Sequence, residues 1–187
     1  MTAIRRAFAD LSVGQIHYAA CGDPEAPPIL LLHQSPRSWR EYREVLPLLG
    51  RQFHAIAIDP AGFGDSAPVT GQASIEAWAA VAVELLTSLS LDGVSVVGHH
   101  TGGVIAIEMA ATAPRSVGSV VLSSTPWVDD SLRRERAARA PIDEVAPSLD
   151  GSHLQVLWQR RQSFYPADRP DLLEAFFGAL QVSGNGY

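Results

Sequence analysis

The sequence predicts an α/β fold: a mostly parallel sheet flanked by helices, with a helical cap inserted after the sixth strand. Three observations predict it. Short, nearly continuous apolar runs recur at residues 28–32, 55–58, 94–97 and 117–122, the pattern of strands covered on both faces. Helix-like stretches at residues 37–49, 75–88 and 102–113 separate them and are long enough for crossover connections. Near Trp127 the composition breaks, and a charged, proline-punctuated segment follows.

The elements follow in order. Residues 5–11 and 15–20 alternate apolar and polar with Gly14 between them, which predicts an antiparallel entry hairpin. From residue 28 the order is strand, helix, strand, helix, strand, helix, strand, ending at about residue 122. Beyond it, Asp129 to Arg139 is rich in charge, and Pro141, Pro147, Pro166 and Pro170 punctuate further helices. The chain closes on Ser183, Gly184, Asn185, Gly186 and Tyr187, which read as a turn.

Length and charge narrow the function. A chain of 187 residues with 47% hydrophobic composition can bury a sizeable core. Its 14 Lys and Arg against 20 Asp and Glu give a net charge of -6, which argues against nucleic acid and anionic membranes and leaves a small molecule as the expected partner. Cys21 is the single cysteine, so an internal disulfide is excluded, and no zinc or CxxC pattern surrounds it. The N-terminal stretch with Arg5, Arg6 and Asp10 lacks a long apolar region, and no segment approaches ~20 uninterrupted apolar residues. Neither signal peptide nor transmembrane helix is expected, and a reducing cytoplasm is the expected location.

Chemistry concentrates at the third crossover. Val94 to Val97 runs through Gly98-His99-His100-Thr101-Gly102-Gly103 directly into an apolar helix. The frame is G-x-X-x-G, in which the central residue sits on a strained strand-to-helix turn and flanking glycines leave room for it. His100 occupies the centre.

With two earlier motifs in the right order, the sequence resembles the α/β-hydrolase-fold superfamily, in its epoxide hydrolase, haloalkane dehalogenase and esterase-like branch. His33-Gln34-Ser35-Pro36 resembles the H-G-X-P turn, with Gln34 in place of the usual glycine. Asp59-Pro60-Ala61-Gly62-Phe63-Gly64-Asp65-Ser66 resembles the D-x-x-G-x-G-x-S loop. The resemblance spans roughly residues 5–187 and includes Ser123-Ser124-Thr125-Pro126, where the family commonly inserts its helical cap. It implies a core over residues 1–126 and the start of a cap over residues 127–187, with the last core strands and the family's base histidine not present in this chain. His153 falls in the expected cap, and His17, His33, His54 and His99 fall in early strands and turns, so none is assigned as the base.

The resemblance further implies a cofactor-free, metal-free hydrolase acting on an ester-like or related bond in a small apolar substrate. Backbone N–H groups of Ser35 and Thr101 are the expected oxyanion hole, and Trp39 and Trp127 are expected to face the substrate cleft. His100 departs from the Ser, Asp or Cys of the family. A neutral imidazole, with a reference pKa of about 6.5, either attacks to form a labile acyl-imidazole or acts as a general base, which favours a lyase or carbon–carbon cleavage. A catalytically silent ligand-binding member with a relic His100 is the rival from another class. Asp59 and Ser66 read as structural, His33 and His99 as scaffold, and Arg133, Arg134, Glu135, Arg136 and Arg139 as a solvated helix face.

Overall fold

The computed structural model describes residues 3–69, 71–138 and 142–182. Strands β1 (Arg5–Leu11) and β2 (Gly14–Cys21) form the antiparallel entry hairpin. Gly14 turns it at φ 114°, a conformation L side chains rarely adopt. Strands β3 (Pro28–Leu32), β4 (His54–Ile58), β5 (Val94–His99) and β6 (Val117–Ser123) complete a six-stranded sheet in the order β1-β2-β4-β3-β5-β6. Only the pairings β1·β2 and β2·β4 are antiparallel; the others run parallel.

The continuous apolar runs arise because each central strand feeds two core layers. Leu30, Leu32, Ile56 and Ile58 face one layer, with Ala82, Leu85, Ile105 and Met109 of helices α2 (Ile75–Ser88) and α3 (Thr101–Thr112). Ile29, Leu31, Ala55 and Ala57 face the other, with Trp39, Tyr42 and Leu46. Each large aliphatic side chain so buried contributes roughly 1.5–3 kcal/mol.

Two expectations are corrected. The stretch 37–49 is not one helix: a 3-10 turn (Trp39–Tyr42) and a single helical turn, α1 (Leu46–Leu49), replace it. Ser38 in extended backbone caps the first, and Pro47 at the start of the second cannot donate the amide hydrogen bond that a continuous helix needs. Strand β6 is not covered on both faces; among the described residues it is the sheet edge, with Val121 53% and Leu122 48% exposed. The turn read at residues 183–187, and Arg139 and Pro141, lie outside the described residues.

Register places the site. Leu32 pairs with both Ile58 and Gly98, and His99 pairs with Ser123. The carboxyl ends of β4, β3, β5 and β6 therefore align, and the loops after them leave from one edge of the sheet, where open α/β sheets bind ligands.

The chain divides after Pro126 into this sheet unit, to which residues 179–182 also belong, and a helical unit, Trp127–Gly178. The helical unit holds α4 (Asp130–Ala137), α5 (Ser152–Arg161) and most of α6 (Pro170–Val182). Trp158 stacks on Phe177 at 5.4 Å, and Arg161 lies 5.0 Å over the Phe176 ring while its Nε donates to Asp143 at 2.7 Å. Asp129 caps α4 by accepting from Leu132 N at 2.8 Å, and Arg133 and Asp130 make an exposed pair at 3.8 Å that adds little in water. No helix among the described residues is long and apolar enough to cross a membrane.

Candidate active site

His100 stands between β5 and α3 at φ 51°, ψ -111°. Non-glycine residues hold such a conformation at a cost of ~1–3 kcal/mol, so the surroundings must impose it. They do. His100 N donates to Ser123 O at 2.9 Å and Gly103 N donates to His100 O at 3.0 Å. Close approach of a neighbour explains each glycine. A methyl at Gly98 would lie 2.3 Å from Gly102 O, one at Gly102 2.0 Å from Leu32 O, and one at Gly103 1.8 Å from Thr125 Oγ1. The imidazole is partly buried, with Nδ1 3.5 Å from Thr101 Oγ1, the long limit of a hydrogen bond.

The second loop leaves β3 beside the elbow. Arg37 N donates to Gln34 O at 2.8 Å, closing a turn whose centre is the cis peptide Ser35-Pro36. Among the described residues neither Ser35 N–H nor Thr101 N–H donates to a backbone carbonyl outside the regular elements. His33, 3% exposed, has Nδ1 2.9 Å from Gln34 O. A carbonyl only accepts, so Nδ1 carries the proton. His33 Nε2 is buried without a hydrogen-bond partner among the described residues and lies 4.0 Å from Asp59 Oδ1.

A residue the sequence did not single out reaches the elbow strand. Glu41, in the 3-10 turn, accepts from His99 Nδ1 at 2.6 Å. The Glu41 side chain is 13% exposed, and its Oε2 lies 3.9 Å from Arg37 Nε. The bond to Glu41 holds the His99 pKa above the ordinary imidazole value, against burial and the Arg37 charge. A weak signal existed in the Arg37–Glu41 spacing of one helical turn, but nothing in it pointed to His99.

Asp59 organises the third loop. Its fully buried carboxylate accepts from Trp39 N at 2.6 Å, Asp65 N at 3.2 Å and His17 Nδ1 at 2.8 Å. Gly64 is required there, because a methyl on it would lie 2.1 Å from Asp59 Oδ2. Ser66 Oγ donates to Asp59 O at 2.5 Å and accepts from His17 N at 2.9 Å. Both residues thus shape the loop, as their sequence context suggests. His17, Asp59 and Asp65 also bring ligand-type atoms within 4.8 Å of one another. Arg6 Nε donates to His17 Nε2 at 3.0 Å, and Arg6 also pairs with Asp65, so these atoms are engaged by protein donors rather than poised for a metal.

The expected substrate tryptophans have different surroundings. Trp39 is 8% exposed and packs in the second core layer, with the Arg6 and Arg40 guanidinium groups each 5.7 Å from its ring. Trp39 directly follows Ser38, which caps the 3-10 turn. Trp127 is 88% exposed on the helical unit, its indole largely clear of packing.

The sequence profile of the alpha/beta hydrolase fold matches residues 27–181. The chain is 41% identical over 97 residues to a soluble epoxide hydrolase of Corynebacterium sp. (strain C12), covering 51% of this chain and 33% of that protein. It is 35% identical over 132 residues to haloalkane dehalogenase 2 of Mycobacterium tuberculosis, covering 70% of this chain and 46% of that protein. The solved structure of the epoxide hydrolase CorEH without ligand superposes with a TM-score of 0.62 at 28% identity, over 71% of this chain and 49% of that one. The chain thus spans less than half the length of these relatives.

Proposed function

The chain belongs to the alpha/beta hydrolase fold family, and from that premise we propose a hydrolase that cleaves an ester-like or related bond in a small, mostly apolar molecule without a cofactor. One observation carries the reading: His100 is held at φ 51° on a strand-to-helix turn whose glycines at 98, 102 and 103 are each demanded by a neighbour within 2.3 Å of a would-be methyl. That turn presents the imidazole at the carboxyl edge of the sheet and beside a helix N-terminus, whose N–H groups favour developing negative charge.

In this reading the neutral His100 imidazole attacks the substrate carbonyl carbon. A nitrogen–carbon bond forms and the carbonyl π pair moves onto oxygen, which accepts from Ser35 N–H and Thr101 N–H. Collapse expels the leaving alkoxide, which takes the imidazolium proton and leaves as the alcohol, and water then hydrolyses the neutral acyl-imidazole, returning the imidazole and releasing the acid. The second reading keeps the same pocket with His100 as general base, removing a proton while the oxyanion hole holds the substrate's own carbonyl, as a lyase or carbon–carbon cleavage requires. It is favoured by the residue type itself, since an imidazole can accept a proton as readily as it attacks.

A panel of p-nitrophenyl esters tests the proposal with the full-length protein, His100→Ala and His100→Ser. Loss of at least ~10²-fold in kcat/KM for His100→Ala is expected. Unchanged turnover in that variant overturns the role of His100. A transient acyl adduct on His100, seen by rapid-quench mass spectrometry, separates the nucleophile from the base. Tight ligand binding without turnover in any form identifies a silent binding protein instead.

A further inference from the structure

We propose that His99 and Glu41 are the positioning pair of this site: their hydrogen bond ties the turn carrying Ser35 to the elbow carrying Thr101 and fixes the spacing of the two N–H groups that face the reacting oxygen. The proposal rests on the oxyanion hole of the preceding section.

The connectivity gives the pair this place. Ser35 and Glu41 belong to one short segment that leaves β3, closes the Gln34-to-Arg37 turn and enters the 3-10 turn Trp39–Tyr42. Hydrogen bonds from its 3-10 turn fasten that segment. Trp39 N donates to Asp59 Oδ1 at 2.6 Å, holding it to the loop after β4. Tyr42 OH donates to Leu32 O at 2.9 Å, holding it to β3, its own strand. The third fastening, Glu41 to His99 at 2.6 Å, runs to β5 and ends on the residue immediately before His100. The first two set where the segment lies on the sheet, and the third sets its distance from the elbow.

The chemistry of the link fits positioning better than packing. Charge-assisted hydrogen bonds are shorter and roughly twice as strong as neutral ones, and poor hydration strengthens them further. Glu41 is mostly shielded, at 13% exposure, while the imidazole it holds is 31% exposed. Yet Glu41 Oε2 is buried with no hydrogen-bond partner among the described residues, its nearest cation being Arg37 Nε at 3.9 Å. A half-satisfied buried carboxylate is costly, and a strut serving stability alone would do as well with apolar residues. The groups facing His99 are Glu41 and Arg37, with His100 next in the chain. The Glu41 bond outweighs burial and the Arg37 charge and raises the His99 pKa, which keeps the link charge-assisted toward neutral pH.

The test uses the full chain with Glu41→Ala, Glu41→Gln and His99→Leu. Amide hydrogen exchange over residues 33–37 and 100–103 is followed by mass spectrometry, His99 is titrated by NMR, and kcat and KM are measured on the p-nitrophenyl ester the wild type turns over best. Glu41→Ala is expected to speed exchange in both segments by at least ~10-fold and to lower kcat by ~10²-fold, the effect of one misplaced oxyanion donor, with KM within about 3-fold. Glu41→Gln, which keeps an acceptor for Nδ1–H, is expected to hold kcat within about 5-fold while the His99 titration moves down toward the ordinary value. Unchanged exchange in a Glu41→Ala protein whose His99 titration has moved overturns the proposal, whether or not the wild type hydrolyses any ester. Absence of ester turnover in the wild type with the exchange response intact removes the hydrolase reading and leaves the pair standing. If Glu41→Ala does not fold, Glu41→Gln and His99→Leu decide: His99→Leu, which removes the donor, is expected to lower kcat by ~10²-fold, and wild-type kcat in His99→Leu overturns the pair.

Discussion

His17 donates its Nδ1 proton to Asp59 Oδ2 across 2.8 Å, and both side chains are fully buried. The direction of the bond follows from Arg6, whose Nε donates to the other ring nitrogen at 3.0 Å. Asp59 also accepts from Trp39 N and Asp65 N, so three donors depend on one carboxylate. Replacing it with alanine leaves them unsatisfied in the interior. Asp59→Ala is expected to lower the unfolding free energy by about 3–5 kcal/mol, read from urea denaturation. A midpoint within error of wild type contradicts this account of the loop.

Gly102 and Gly103 differ in what their missing side chains avoid. At Gly102 the obstacle is backbone, Leu32 O at 2.0 Å, whereas at Gly103 it is the Thr125 side chain, with Oγ1 at 1.8 Å. Gly103→Ala is expected to cost roughly 1–3 kcal/mol as overpacking, and Thr125→Ala in the same chain to recover part of it. Gly102→Ala has no side chain to trim and is expected to stay destabilised in the Thr125→Ala background. Equal recovery of both glycine variants counts against the assignment.

The raised His99 pKa sets a pH dependence. A group whose pKa is higher folded than unfolded stabilises fully below its unfolded pKa, about 6.5, and loses that contribution as pH climbs through the folded value. The stability gap between wild type and Glu41→Gln is therefore expected to be larger at about pH 6 than at about pH 9. Chemical denaturation at the two values checks it; a gap that grows with pH reverses the sign and refutes the pairing.

His54 acts in the opposite sense. Burial pushes its pKa below the ordinary value, against the attraction of Asp23. The folded state then resists protonation that the unfolded chain accepts, so stability falls as pH drops below about 6.5. His54→Gln is expected to show a shallower loss of stability between about pH 7 and pH 5 than wild type. Parallel curves for the two proteins exclude His54 as a source of acid sensitivity.

The parts of this fold legible in the sequence are those where local pattern and tertiary demand coincide. The central strands were readable because residues such as Leu30 and Leu31 face opposite core layers, which leaves no room for polar alternation. The elbow was readable because its glycines answer collisions among residues close in sequence, such as Gly98 with Gly102 and Gly103. The break in residues 37–49 was marked by Ser38 and Pro47 but masked by good helix formers between them. Exposure of Val121 and Leu122 depends on β6 lying at the sheet edge, a property of strand order that its own composition does not carry. The His99–Glu41 bond joins residues 58 apart in the chain, and only the adjacency of β3 and β5 brings them together. The packing of Trp39 was hidden for the same reason, its backbone N–H being tied to Asp59, 20 residues away.

The backbone of the elbow is held by Ser123 O, Gly103 N, and the close backbone contacts of Gly98 and Gly102. Position 100 is therefore a socket whose backbone is shaped by its neighbours. A hydroxyl, thiol, carboxylate or imidazole set there inherits the same backbone angle and the same neighbouring amides. Such a chain can change its reactive group by one substitution without refolding the ground beneath it, which makes this turn a natural place for one scaffold to exchange one chemistry for another.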